Sequence, residues 1–536
     1  MPAPDPEVAV PGPCVFGAGR LLPLIDVLYK EIDRIRADDD NEHIHRMRVA
    51  SRRLRAALPL FSSCFPEKEF RFWMREIKKI TRALGAARDT DVQIVFLKKY
   101  LKAQAVPVPK DKPGPVPAPA YADDPVAAYL SKLQKRRKLL QQEVISVLDE
   151  FLAAQVLAGI RAACPVPPAA GRRRRRERYS GILPVAADRI GRCLYGLDRY
   201  EPFVHNPDAV FEHHAMRIAA KKLRYTLETY APLYRRDLRK PIAQIKRLQE
   251  LLGDIHDCDV WIEQMTFAIT KQRSHRHPRK DLPGATVSAV APLRQLLVNR
   301  ERQRARLYRQ YVRYWETLVR TGFRNDLLST VLKGEKTAFS HRSPSSAEEE
   351  HEAFVHLAAL APKQADHSHK VAALALRLFD ELAPLHGLLP RDRTLLLYAA
   401  NVHDIGWTFG QAGHQKKSAE LVLSCGDLQV TVREQGIIAL IAGLHGGSDR
   451  FRPTGFWHLL SPDDQKRVRI LAALLRVADG LDYLHAASVT DLHCLIGETE
   501  VQCVLSCTGD VTTEKARAIK KSALFADVFK KSLVIP

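Results

Sequence analysis

The sequence predicts a mainly α-helical protein: a duplicated helical bundle with a basic central groove, then a second α-helical domain ending in a small α+β appendix. Three observations carry that prediction. Leu, Ile and Val recur at helical spacing through most of the 536 residues, with few strand-like alternations. Two blocks of the first half return in the same order about a third of the chain later. The net charge of +22 is also one-sided. Residues 351–536 hold 20 Lys and Arg against 20 Asp and Glu, so the whole excess lies in residues 1–350. The chain reads as a basic half followed by a neutral, histidine-bearing half.

The totals set bounds. The chain is too long for one core, so several units are expected. No run of eighteen apolar residues occurs, which predicts a soluble protein with no membrane partner. Residues 1–14, rich in proline, read as a disordered start with no secretory signal. The nine cysteines lie scattered without a Cys-x-x-Cys pair. That pattern predicts reduced thiols in a cytoplasm, with neither a disulfide framework nor a cysteine-built zinc site.

The first element of interest is "HIHRMRVASRRLR" (43–55). On a helix, His45, Arg48, Arg52 and Arg55 share one face. Like charges one turn apart repel by a few tenths of a kcal/mol per pair. Such a face is either an ordinary solvated surface or the seat of an anionic ligand. A second copy follows: "HAMRIAAKKLRYTLETY" (214–230) aligns with "HRMRVASRRLRAALPLF" (45–61) without a gap. Downstream, "IKKITRALGAARDTDV" (77–92) returns as "IKRLQELLGDIHDCDV" (245–260). Two blocks at nearly one offset mark an internal duplication. The copies span 15–165 and 172–330, and the seven prolines of 106–125 make an extended loop inside the first. The arginine faces of the two bundles are expected to meet at a shared groove.

The His-x-Met-Arg-[Val/Ile]-Ala-x-[Arg/Lys]-[Arg/Lys]-Leu-Arg and Leu-Gly-x-x-x-Asp-x-Asp blocks resemble the conserved histidine α-helical domain, CHAD, over residues 15–330. The resemblance implies a helical domain whose basic channel binds inorganic polyphosphate. By matching position, the first copy would contribute His45, Arg48, Arg52, Arg55, Lys78, Lys79 and Arg82. The second would contribute His214, Arg217, Lys221, Lys222, Arg224, Lys246 and Arg247. The chemistry suits that polymer. Dense cations displace counterions from a polyanion, and Arg binds phosphate oxygens in a bidentate fork. Aromatic residues are only 7% and few interleave with the basic helices, so nonspecific nucleic-acid binding remains open but disfavoured.

After a linker (331–351), the neutral half runs through "KQADHSHKVAALALRLFDEL" (363–382), "NVHDIG" (401–406), "GHQKKSAELV" (413–422), "ALIAGLHGG" (439–447) and "LLRVADGLDYLH" (474–485). An adjacent His403-Asp404 at a helix end, flanked by lone histidines and a late aspartate, is a metal-ligand constellation. Imidazole with carboxylate suits manganese, iron, zinc or magnesium, and Asp404 can bridge two ions. Open positions would leave water to attack phosphorus. A single histidine on an apolar helix is more often structural, and a scaffold without metal is the plain alternative.

This half is similar to the HD phosphohydrolases, and more narrowly to the C-terminal HD region of the exopolyphosphatase/guanosine pentaphosphate phosphohydrolases. The resemblance implies an HD domain over 352–486, with His367, His403, Asp404 and Asp479 as the main site and His414 and His445 holding a second ion. It departs from the family at Gln415 and Lys417, where histidines are common, and it lacks the actin-like domain that carries exopolyphosphatase chemistry. Lys370, Lys416 and Lys417 adjoin the ligands in sequence and are candidates to neutralise a substrate. His356, His386, His458, His485 and His493 read as surface or packing residues. Residues 487–536 read as short strands and a closing helix. The expected whole is a cytoplasmic, granule-associated polyphosphate binder carrying a one- or two-ion phosphohydrolase for polyphosphate or a phosphorylated nucleotide. The rival is a binding protein whose HD half is only scaffold.

Overall fold

The first copy of the duplication folds as α1 (Gly12–Ala37), α2 (Asn41–Ala57), α3 (Glu67–Gln104), α4 (Pro125–Ala153) and α5 (Val156–Ala163). The second folds as α6 (Ile182–Asp198), α7 (Val210–Tyr230), α8 (Arg239–Ser274), α9 (Pro283–Arg320) and α10 (Phe323–Leu332). The computed structural model describes residues 12–37, 41–104, 125–165, 181–234, 237–274, 283–332, 347–426, 428–446 and 455–536. Most of 1–14, of the proline-rich loop 106–125 and of the linker 331–351, with the arginine run 172–176, lie outside the described residues. Neighbours pack in the same order in each copy: α1 on α2, α2 on α3, α3 on α4, then α6 on α7, α7 on α8, α8 on α9. The reason is a shared apolar stripe. Met47, Leu54 and Leu58 recur as Met216, Leu223 and Leu227, and all six are fully buried. With the apolar stripes turned inward, α2 and α7 meet across the two copies.

One expectation is corrected here. Cys14, in the first turn of α1, forms a disulfide with Cys64 at the end of the 3-10 turn Leu58–Cys64. Fifty residues separate the pair, and only the packing of α1 against that turn brings them together. Spacing held no sign of it.

The neutral half comprises α11 (Ala347–Ala358), α12 (Ala365–Glu381), α13 (Pro390–Val402), α14 (His414–Ser424), α15 (Val432–Leu444) and α16 (Pro462–Leu481). α12 packs on α13 and α16, while α15 touches α13, α14 and α16. The starts of these helices are fixed locally. Thr431 and Glu434 form a reciprocal cap on α15, and Ser461 Oγ accepts from the Asp464 N–H at the head of α16.

Residues 487–536 form β1 (Val489–Ile496) antiparallel to β2 (Glu500–Cys507), then α17 (Thr512–Lys521), α18 (Ala523–Phe529) and β3 (Ser532–Val534), which runs parallel to β2. The expected single closing helix is thus two helices and a strand. Lys530 takes a left-handed conformation (φ 55°) that ends α18 and turns the chain into β3. The appendix is not a free-standing unit. Arg377 on α12 donates to the Leu492 carbonyl at 3.0 Å. Gly480 on α16 lies so close to α17 that a Cβ there would stand 2.6 Å from Ala518 Cα.

The two halves share one contiguous core. α6 of the basic half lies on α14 and α15 and on the turn Phe456–Leu459. Gly191 meets Gly455 closely enough that a Cβ at 191 would stand 2.1 Å from the Gly455 carbonyl oxygen. Asp188 accepts from the Phe456 N–H at 3.0 Å, and Tyr195 stacks on His458.

Candidate functional site

The basic groove is built by one motif used twice. In the first copy Arg48 on α2 crosses over Gly85 of α3 and donates to Asp89 at 2.8 Å. In the second, Arg217 on α7 crosses over Gly253 of α8, with Asp257 beside it. The arginine thus lies along the glycine of each Leu-Gly-x-x-x-Asp block, and in the first copy the aspartate one turn on accepts from its guanidinium. The last aspartate of the motif instead clasps the following helix: Asp91 takes Arg137 at 2.7 Å, and Asp259 takes Arg304.

Arg48 and Arg52 from α2 face Arg217 and Lys221 from α7; burial first, and then neighbouring cations including Arg52, lower the pKa of Arg48, Arg217 and Lys221. Burial, then Arg217, Arg52, Arg48 and Arg224, pushes Lys221 down to about 7. Arg217 Nε and His45 Nδ1 are buried with no hydrogen-bond partner among the described residues, and Arg224 Nε has only the Glu228 carboxylate 3.7 Å away. His214 lies ring to ring with His256, their Nδ1 atoms 3.1 Å apart. Burial, then His214, Arg217 and Lys221, holds His256 down to about 4, so that imidazole is neutral at pH 7. Arg55, Lys78, Lys79, Arg82, Lys222, Lys246 and Arg247 are exposed, and Lys79, Lys246 and Arg247 pair with nearby glutamates.

The second site lies in the neutral half. His367 comes from α12, His403 and Asp404 from the end of α13, His414 from the start of α14, His445 from the end of α15 and Asp479 from α16. All six converge. Asp404 Oδ2 is 3.9 Å from His367 Nε2 and 3.6 Å from His403 Nε2, while Asp479 Oδ1 is 3.5 Å and 4.0 Å from the same atoms. Asp404 Oδ1 faces the other way, 3.3 Å from His414 Nε2 and 3.2 Å from His445 Nε2. One carboxylate therefore separates two clusters of nitrogen.

Every histidine of the set presents Nε2 because its Nδ1 is committed. His403, His414 and His445 use Nδ1 on the carbonyls of Ala400, Gln411 and Ala442, and His367 uses it on Asp482 at 2.7 Å. His367 Nε2, His403 Nε2 and Asp404 Oδ1 are buried without a hydrogen-bond partner among the described residues. Unsatisfied buried nitrogen and oxygen atoms on the two sides of Asp404 fit divalent cations. The electrostatics agree. Burial opposes charge on His367, but Asp479 and Asp482 outweigh it and push that imidazole up to about 9. Burial likewise opposes charge on Asp404, yet the surrounding histidines hold it far below the ordinary carboxylate range. The cluster is short of positive charge.

Three neighbours of this site escaped sequence reading. Asp482 orients His367 and also accepts from the Ala487 N–H. His485, read as a surface or packing residue, stacks on His367 with ring centroids 3.8 Å apart. Lys521, from the appendix, donates to Asp479. Asp482 and His485 lie within the stretch 474–485, Asp482 one turn past Asp479, whereas Lys521 comes from beyond it. Lys416 and Lys417 pair with Glu420, Lys417 also lies over the Phe409 ring, and Lys370 bonds to the Thr490 carbonyl. Gln415 packs beside Gly446.

Comparison with known proteins matches both halves. Residues 20–266 match the CHAD domain, and residues 362–520 match domain III of the Ppx/GppA phosphatases. The chain joins a CHAD domain to a Ppx/GppA phosphatase domain III, as the two sequence resemblances implied. The CHAD match ends inside α8, and α9 and α10 continue the second copy beyond it. The crystal structure of the CHAD domain from the plant Ricinus communis is similar at 20% identity and a TM-score of 0.40, over 58% of this chain and 96% of that one. No curated protein matches the chain.

Proposed function

We propose that the chain holds inorganic polyphosphate in the groove between α2 and α7, and that its Ppx/GppA-type domain is a metal-dependent phosphohydrolase. One observation carries the first part: Arg48, Arg52, Arg217 and Lys221 are half-buried together, with guanidinium donors left over. A fold keeps mutually repelling cations half-dehydrated only at a cost, which a polyanion with an oxygen acceptor at every phosphate offsets. His45, Arg55, Lys78, Lys79, Arg82, His214, Lys222, Arg224, Lys246 and Arg247 would extend the same track.

In the second part, His367, His403 and Asp479 would hold one divalent ion, His414 and His445 a second, and Asp404 would lie between them. Manganese, iron, zinc and magnesium all suit such a donor set. A bound ion would supply positive charge to the phosphoryl oxygens and lower the pKa of water. The chain's own contribution is to fix four imidazoles with Nε2 inward and to keep two carboxylates ionised where water is scarce. The substrate would be polyphosphate or a phosphorylated nucleotide, and one chain would raise its local concentration at the second site. Among the described residues no helix is long and apolar enough to cross a membrane; the proposed place, in the cytoplasm at polyphosphate granules, rests on the proposed polymer and not on the cysteines, two of which form a disulfide.

The test uses the full chain. Wild type should bind long-chain polyphosphate more tightly than duplex DNA of matched charge, with affinity falling steeply as salt rises. Asp404→Ala should lose both bound transition metal and phosphohydrolase turnover while keeping polyphosphate affinity. Protein that gains no stoichiometric metal on dialysis would leave a polyphosphate-binding scaffold. Preference for DNA would sink the groove reading.

A further inference from the structure

Lys521 closes α17, the helix that Gly480 admits against α16. Arg476 of α16 donates from Nε to the Lys521 carbonyl at 3.2 Å, fixing the end of α17 over the metal-ligand helix. The Lys521 ammonium donates to Asp479 Oδ2, whereas Asp479 Oδ1 faces His367 and His403. The lysine therefore sits behind the ligand carboxylate at the edge of the centre. An ammonium has three donors. Asp479 accepts from it, and the side chain is 24% exposed, so the lysine is not sealed into the interior.

Three carboxylates stand around the centre. Asp404, Asp479 and Asp482 crowd one small volume, and an incoming phosphate would meet their field. The lysines adjacent to the ligands in sequence are engaged elsewhere: Lys416 and Lys417 with Glu420, Lys370 with Thr490.

We infer that Lys521 is the anion-positioning residue of the metal centre, taking an oxygen of the phosphoryl group presented there while Asp479 holds its ammonium in place. The C-terminal appendix is then part of the site. This inference rests on the metal-centre reading above, and the experiment separates the two.

Manganese-loaded wild type, Lys521→Met, Lys521→Arg and Lys520→Met are compared for metal content, melting temperature and binding of inorganic phosphate by calorimetry. The metal-dependent part of the phosphate binding is taken, so that the basic groove cancels. Lys521→Met should keep its metal and melt like wild type yet bind phosphate at least tenfold more weakly. Lys521→Arg should retain most of the affinity. Lys520→Met, which removes an exposed charge one residue away, should match wild type. Unchanged phosphate affinity in Lys521→Met overturns the inference. So does loss of metal from that variant, because Lys521 would then serve only to orient Asp479. Wild type that takes up no metal overturns the metal-centre reading and this inference with it.

Discussion

Lys221 holds its charge against the groove around it, so the proposed polyphosphate binding should depend on pH. Burial and the flanking arginines push it down to about 7, against roughly 10.4 for a free lysine. A bound polyanion favours the ammonium, so binding draws a proton onto Lys221 wherever the free protein has lost it. Affinity is therefore full below pH 7 and declines as pH rises toward the ordinary lysine range, by up to about tenfold per unit. Titrations with polyphosphate between pH 6.5 and 9 would check this. Lys221→Arg, which stays charged throughout, should flatten the profile; an equally steep profile in that variant would assign the proton elsewhere. The neighbouring His256 is held neutral across this range and contributes nothing to the slope.

At the scale of elements, each copy of the duplication is tied by its terminal aspartate. Asp91 is 3% exposed and Arg137, its partner on α4, is 12% exposed. Asp91→Ala would leave Arg137 its bond to Gln141 but remove its counter-charge, and a broken buried pair costs roughly 3–5 kcal/mol. The equivalent Asp259→Ala should cost less, because Asp259 and Arg304 are 15% and 16% exposed and better hydrated. Urea melts of the two variants would rank them. A neutral Asp91→Ala would mean that the aspartate belongs to the groove and not to the bundle. The same elements show how local sequence encodes tertiary contact. Gly85 and Gly253 look like faults in long helices, yet each is where an arginine of the preceding helix lies against the backbone.

For the whole molecule, the charge boundary near residue 350 suggests two independent proteins, but the packing joins them. Gly191 and Gly455 bring two backbones together where a Cβ at either position would collide with a carbonyl oxygen. Backbone cannot yield as a flexible side chain does. Wild type should therefore unfold in a single calorimetric transition that spans both halves. Gly191→Val should split it in two while leaving polyphosphate affinity and metal uptake intact. A single unchanged transition in that variant would show that the halves do not depend on this contact.

The sequence by itself determined what repeats and what clusters in composition. Helical periodicity and the duplicated Met-Arg-Leu-Arg and Leu-Gly blocks specified the helices, their order and a basic face on α2 and α7, because those features are written at spacings of three and four residues. It also named the six His and Asp side chains that converge between α12 and α16, since each lies in a short motif. Only the tertiary structure decided what those motifs meet. Cys14 reaches Cys64 because α1 doubles back on a 3-10 turn; Asp482 and His485 find His367 because α16 ends beside α12; and Lys521 reaches Asp479 because Gly480 lets a C-terminal helix lie against α16. Such contacts join residues with no periodic relation, and their positions are fixed only when helix faces pack.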